Sequence, residues 1–350
     1  MTLFLKSTTE SPNYEYLNAV IRARGTKLLE QEVFFTLAGG TLEDLELFLL
    51  ESVYGIRCRE QLAIGGSSVL FRVENALAAG TADILLETAS LARGEAGLFF
   101  DVLLSMADLE NGRLLLRASR AGEARGKPPL WRMYCVAGTA FYDDLWKKCF
   151  NAADGAIRCH EEENPMASLL GEAYRTLYET GSLSVSERAL YSGWLDYWRE
   201  QLGPLKGTNV RLMEEYLGRL TDTWNLSTWF RSGTELEHGV RSFLRGGWGL
   251  SPLKLEGCAT LECLFEGSGW EIPFLSGQRE ANSVVLRKFQ GLFHLWQKKL
   301  YRKDLLGIHV SLGYAAQVQL EWANLSMIAA GLSLNIPSAE IGRHLLLPGE

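Results

Sequence analysis

The chain has 350 residues, enough for two or three domains of ordinary size, and its 47% hydrophobic and 22% charged residues give the balance of a folded globular protein, not of a disordered chain. A formal net charge of -7 sets the average surface against polyanions, so nucleic acid and acidic lipid headgroups are disfavoured as partners. The opening MTLFLKSTTESPNYEYL lacks the basic-then-apolar run of a secretory signal, and the best apolar stretches, LFFDVLL and LSMIAAGLSL, fall well short of the roughly 20 residues of a membrane-crossing helix. A cytoplasmic protein is expected, peripheral to a membrane only through partner proteins.

Taken in chain order, Tyr14 to Leu29 places Leu17, Val20, Ile21 and Leu28 at helical spacing, with Arg22, Arg24 and Lys27 elsewhere on the wheel. The run from Thr41 to Gly55 reads as a second helix, with Thr41 as N-cap, Glu43 and Asp44 in the first turn and Gly55 at the end. FRVENALAAGTADILLETASLARG and LFFDVLLSMADLENGRLLLRASRAG continue in the same way, each closing on a glycine. Alternating β-branched runs with tight turns are nearly absent, so an all-α chain is expected. Arg120 to Pro129 and Ser232 to Gly249 are rich in Gly, Pro and charge and read as linkers dividing the chain into thirds. The six cysteines lack zinc or thioredoxin spacing and are expected to be reduced thiols.

Three segments align without gaps: MADLENGRLLLRA, LTDTWNLSTWFRS and QLEWANLSMIAAG. Each carries a carboxylate three residues before an asparagine, in the pairs Asp108 and Asn111, Asp222 and Asn225, Glu321 and Asn324. One helical turn separates the members of a pair, so both face the same way. Bulky or apolar pairs follow (Leu115-Leu116, Trp229-Phe230, Ile328-Ala329), then a small residue (Ala118, Ser232, Gly331). The near-equal intervals predict one helical unit used three times, over 1–121, 122–233 and 234–350. Thr41-Leu42-Glu43 and Thr260-Leu261-Glu262 echo one another at comparable distances upstream.

The ending EWANLSMIAAGLSLNIPSAEIGRHLL resembles the C-terminal signature of the C subunit of bacterial and archaeal V-type ATPases, the counterpart of the eukaryotic d subunit, through Glu321, Asn324, Leu325, Ile328, Gly331, Pro337, Ile341 and Leu345. The opening is similar too, at Tyr14, Tyr16, Arg22, Ala23, Leu28, Leu29, Tyr54 and Gly55. The resemblance implies three similar helical domains in a funnel around a pseudo-threefold axis. It implies as partners the central shaft of the soluble ATPase head, received in the mouth, and the membrane proteolipid ring beneath, with torque crossing a non-catalytic chain that needs no cofactor or metal. Two and six residues after the asparagine the family often has Arg; Arg113, Arg117 and Arg231 keep that pattern, while Ser227, Ser326 and Ala330 depart from it.

Asparagine is a poor helix former and a buried one needs partners, so the carboxylate and asparagine pairs are expected to fix neighbouring helices and not to bind metal or catalyse. Arg22, Arg24, Arg113, Arg117, Arg120 and Arg231 fall at or near corresponding places of the repeat and are candidates to line a shaft-binding cavity, or else are ordinary charges at helix ends. Cys159-His160-Glu161-Glu162-Glu163 reads as a solvated acidic stretch. Gly65-Gly66-Ser67-Ser68 and Arg245 to Gly249 lack the endings of a phosphate loop or nucleophile elbow and read as turns. A helical adaptor for another partner and an α-helical hydrolase with a deep polar pocket are the rival readings.

Overall fold

The computed structural model describes residues 10–121, 130–160, 164–231 (without the Arg231 side chain), 243–270 and 282–347. Among these residues there are sixteen α-helices and no strand. They are α1 (Tyr14–Gly25), α2 (Gln31–Ala38), α3 (Leu42–Glu51), α4 (Gly55–Ile64), α5 (Val69–Leu91), α6 (Glu95–Ala121), α7 (Thr139–Lys148) and α8 (Ala152–His160). Then follow α9 (Pro165–Thr180), α10 (Leu183–Leu202), α11 (Thr208–Arg231), α12 (Pro252–Gly257), α13 (Leu261–Phe265), α14 (Asn282–Leu300), α15 (His309–Ser333) and α16 (Ser338–His344). No helix among the described residues is long and apolar enough to cross a membrane.

Local chemistry sets many of the helix boundaries. Thr41 opens α3 with a capping box, its hydroxyl accepting from the Asp44 amide while Asp44 accepts from the Thr41 amide. Ser68 caps α5, and Asn164 caps α9 with Pro165 in the first turn. Three helices end earlier than the sequence suggests, the last of them α5, which stops at Leu91 and leaves Gly94 just ahead of α6 instead of closing α5. The first stops at Gly25, where the Thr26 hydroxyl donates to the Ala23 carbonyl at 2.8 Å and the chain leaves to deliver its Leu29 amide elsewhere. The second stops at Glu51 because Ser52 turns the chain, donating to the Leu49 carbonyl and accepting from the Tyr54 amide; Gly55 therefore starts α4 instead of ending α3.

The chain packs as two compact units. Of the described residues, one unit comprises 10–107, 130–139 and 294–347 and is built around α15, which is mostly apolar on every side, Glu321 and Asn324 apart, and carries α1, α2, α3, α5 and α16 against it. An all-round apolar helix has to sit in the middle of its unit. The other comprises the described residues of 108–121 and 140–293, where α8, α9 and α10 pack in sequence. The C-terminal half of α6 lies against them: Gly112 faces Leu190, Met166 and Leu170, and a methyl at Gly112 would come within 3.1 Å of Leu190. Tyr191, Trp194, Trp198 and Trp224 form an aromatic cluster in this unit, with Tyr191 stacked on Trp224 at 4.3 Å.

Two further expectations need correcting. Residues 122–129 and 232–242 lie outside the described residues, but the remainder of the second linker, 243–249, is no loose connection, being pinned by buried side chains as set out below. Cys258 and Cys263 form a disulfide, whereas Cys58, Cys135, Cys149 and Cys159 are buried thiols. The turn between α12 and α13 brings the Cα atoms of the pair to 5.6 Å, within bonding range despite a spacing that matches no familiar motif.

Candidate functional site in three buried carboxylate and asparagine junctions

All six residues of the repeated pairs are buried, on α6, α11 and α15. In the middle pair the Asn225 carboxamide accepts from the Leu244 amide at 2.7 Å and donates to the Leu244 carbonyl at 2.9 Å. Asn324 does the same with Leu346, accepting at 2.8 Å and donating at 3.1 Å. A carboxamide carries one donor face and one acceptor face, which match the N–H and C=O of a single residue; neither Asp nor Leu of similar size can supply both. Asn111 is fully buried at the corresponding place in α6.

The carboxylates each collect a donor from an aromatic side chain far along the chain. Asp108 accepts from the Tyr142 hydroxyl at 2.7 Å. Asp222 accepts from Trp270 Nε1 at 2.8 Å and from the amides of Gly249 and Leu250 at 2.8 and 3.1 Å. Glu321 accepts from the Tyr54 hydroxyl at 2.8 Å and the Leu29 amide at 2.7 Å. The last two junctions share a plan: an amide (Leu29 or Leu250), a short helix (α2 or α12), a threonine-capped helix (α3 or α13), then the aromatic donor (Tyr54 or Trp270). Thr41 and Thr260, the residues of the upstream echo, are the two caps.

Close approach is built into both. A Cβ on Gly80 would come within 2.6 Å of the Tyr54 ring, so only glycine lets that ring lie over α5 and reach Glu321. A Cβ on Gly247 would collide with the Asp222 carboxylate. Trp270 is steadied by the Arg219 guanidinium, which lies 3.6 Å from the centre of the Trp248 ring and 4.7 Å from that of Trp270.

The electrostatics follow from burial. Desolvation pushes the Asp222 carboxyl up to about 6, against the lowering effect of Trp270, the two amides and Arg219. Glu321 is raised for the same reason, opposed by the Leu29 amide and Tyr54. Tyr54 is held well above the usual tyrosine range by burial and by the neighbouring Glu321, so it remains a hydroxyl donor. Each site thus presents an acceptor already occupied by donors, an arrangement that fastens segments together. The cavity beside Glu321 and Asn324 measures about 70 Å³, room for a water or two and far below the several hundred Å³ of a small-molecule site. Among the described residues no three potential metal ligands gather.

The candidate shaft-binding arginines are largely engaged within the chain. Arg22 donates to the Tyr301 carbonyl at 3.3 Å, and Arg24 to the Thr88 hydroxyl at 2.8 Å and Glu87 at 3.3 Å. Arg113 pairs with Glu110 at 2.8 Å, and Arg117 with the mostly buried Glu187 at 2.8 Å. Arg120 is exposed, and the Arg231 side chain lies outside the described residues. Sequence reasoning did not find Tyr142 or Trp270 as partners, nor the backbone groups of Leu244, Leu250 and Leu346; a polar-tipped aromatic after a threonine-capped turn was the available signal for Trp270.

Comparison with known proteins adds the decisive observation. Residues 17–344 match the family model described as the ATP synthase (C/AC39) subunit. The chain belongs to this family. It is 26% identical over 343 residues to the C subunit of the V-type ATP synthase of Thermus thermophilus, covering 96% of this chain and 99% of that protein. It is 24% identical to the C subunit of the A-type ATP synthase of Methanosphaera stadtmanae over 352 residues, covering 95% and 88%, and 24% identical to the C subunit of the V-type ATP synthase of Deinococcus radiodurans over 338 residues, covering 95% and 91%. Family membership makes the chain a non-catalytic, structural component of an ATPase complex, with other members of such a complex as its partners.

Proposed function

We propose that this chain is the coupling piece of the central stalk of a rotary V-type ATPase, joining the shaft of the soluble head to the membrane proteolipid ring during proton or sodium transport. The supporting observation is the cyclic order of the junctions. With the chain taken as three copies over 1–121, 122–233 and 234–350, Asp108 of the first receives Tyr142 of the second, Asp222 of the second receives Gly249, Leu250 and Trp270 of the third, and Glu321 of the third receives Leu29 and Tyr54 of the first. A repeat whose last copy binds back to its first is what a closed funnel around a pseudo-threefold axis requires.

Torque transmission asks for stiffness, and charge-assisted bonds between buried groups are the stiffest links side chains can offer. The mouth would receive the foot of the shaft, with Arg22, Arg24, Arg113, Arg117, Arg120 and Arg231 as candidate lining residues. The opposite face would rest on the proteolipid ring, making the chain a cytoplasmic protein peripheral on the inner face of the membrane. The test is to immobilise the purified chain and present it separately with the shaft proteins and with detergent-solubilised proteolipid ring from the same source. Saturable binding to both is expected. Binding to neither, with recovery of unrelated proteins instead, would replace this reading with that of a helical adaptor.

A further inference from the structure

We propose that Cys258 and Cys263 are a reversible redox modification site, exchanging with low-molecular-weight disulfides such as oxidised glutathione and with dithiol reductants of the thioredoxin class. Three observations carry this. The pair is bonded across the turn from α12 to α13, with Cα atoms 5.6 Å apart. Cys263 is exposed and so offers the bond to a soluble reagent from its own side, although Cys258 is buried and only 8% exposed, while Cys58, Cys135, Cys149 and Cys159 are all at most 3% exposed. Burial further pushes the Cys58 thiol up to about 11, leaving almost no thiolate there to react.

The bond closes a loop of only six residues, Cys258 to Cys263. Short loops gain little from closure, because the unfolded chain loses little freedom, so the bond can be made and broken without deciding whether the protein folds. The turn also has bonds that do not involve sulfur: the Cys258 amide donates to the Lys254 carbonyl, and the Cys263 amide donates to the Thr260 hydroxyl. Its position matters more than its strength. The α12–α13 arm is anchored at both ends on one carboxylate, through Gly249 and Leu250 before it and Trp270 after it, all on Asp222. The corresponding arm on Glu321, Leu29 to Tyr54, contains no cysteine. The modification would therefore set the stiffness of one junction of the three.

The exchange balances. The Cys263 thiolate attacks one sulfur of the glutathione disulfide, forming a mixed disulfide and expelling one glutathione thiolate. The Cys258 thiolate then attacks Cys263 Sγ and expels the second. Two electrons pass to the glutathione disulfide, which leaves as two thiols; a dithiol reductant reverses the sequence and is itself oxidised to a disulfide.

The full-length protein is equilibrated in glutathione buffers of graded oxidised-to-reduced ratio, quenched in acid, denatured and alkylated, and weighed by mass spectrometry. Six alkyl groups are expected under reducing conditions and four under oxidising ones, with a single linked peptide joining Cys258 to Cys263 and full recovery on adding dithiothreitol to the native protein. In the C263S variant, five alkyl groups at every ratio are expected. Limited proteolysis within residues 252–270 should be several-fold slower in the oxidised form. Six alkyl groups at every ratio, a linked peptide involving another cysteine, or a bond that dithiothreitol reduces only after denaturation would each overturn the proposal.

Discussion

Replacing Asn225 tests whether the repeated asparagine is a backbone clamp. Asn225 and Leu244 are both buried, and the carboxamide satisfies the Leu244 amide and carbonyl at 2.7 and 2.9 Å. Asn225→Ala removes both bonds and strands two buried backbone groups, each costing about 1–3 kcal/mol. Part of that is recovered by water entering the gap, so a loss of about 3 kcal/mol is expected, or roughly 6–12 °C in Tm for a unit of this size. Asn225→Asp is the sharper variant. Its ionised carboxylate still accepts from the Leu244 amide but sets an acceptor against the Leu244 carbonyl, while its protonated form restores a donor there. Asn225→Asp should therefore be at least as destabilised as Asn225→Ala at pH 7.5 and recover part of the loss at pH 5. Thermal unfolding followed by circular dichroism at the two pH values decides the matter. A shift under 2 °C for Asn225→Ala, or an Asn225→Asp loss that does not shrink on acidification, would refute the clamp.

Three other outcomes are expected. Tyr54→Phe removes one of two donors to buried Glu321 and should cost about 1–3 kcal/mol; in a double-mutant cycle with Glu321→Gln by urea unfolding, a coupling below about 0.5 kcal/mol would deny the bond any role. Because the Asp222 pKa rises from 3.8 to about 6 on folding, its contribution is full below about pH 4 and is lost as pH climbs through 6, a fall of about 3 kcal/mol. Asp222→Asn should therefore flatten the urea midpoint between pH 4 and 7, and an unchanged slope would contradict this. Arg113→Glu with Arg117→Glu brings two new carboxylates to Glu110 and Glu187 and should lower Tm by several degrees, whereas exposed Arg120→Glu should leave Tm unchanged and weaken shaft binding; equal Tm values for the two variants would show that the internal ion pairs carry no weight.

What could be read from the sequence was whatever repeats at short range. Helical spacing, threonine caps and the one-turn interval between carboxylate and asparagine are local, and they yield the all-α class and the six junction residues. The partners could not be read in this way. Leu29 and Tyr54 meet Glu321 from the far end of the chain, and that long-range bond also draws Leu29 out of the first helix, which the local pattern would have prolonged. Glu187 claims Arg117 from a helix some 70 residues away, so an arginine that looked free at a helix end is paired. The spacing of Cys258 and Cys263 gives no sign of a bond, because their pairing depends on the turn between α12 and α13.

The central claim is that the chain transmits torque without catalysing anything itself. Its most direct test is to reconstitute the V-type complex into vesicles with and without this protein, measuring ATP hydrolysis and ion uptake on the same preparation. The account predicts that omission leaves hydrolysis by the head running while ion uptake stops, and that adding the purified chain back restores uptake. Undiminished ATP-driven ion uptake in its absence would contradict the account.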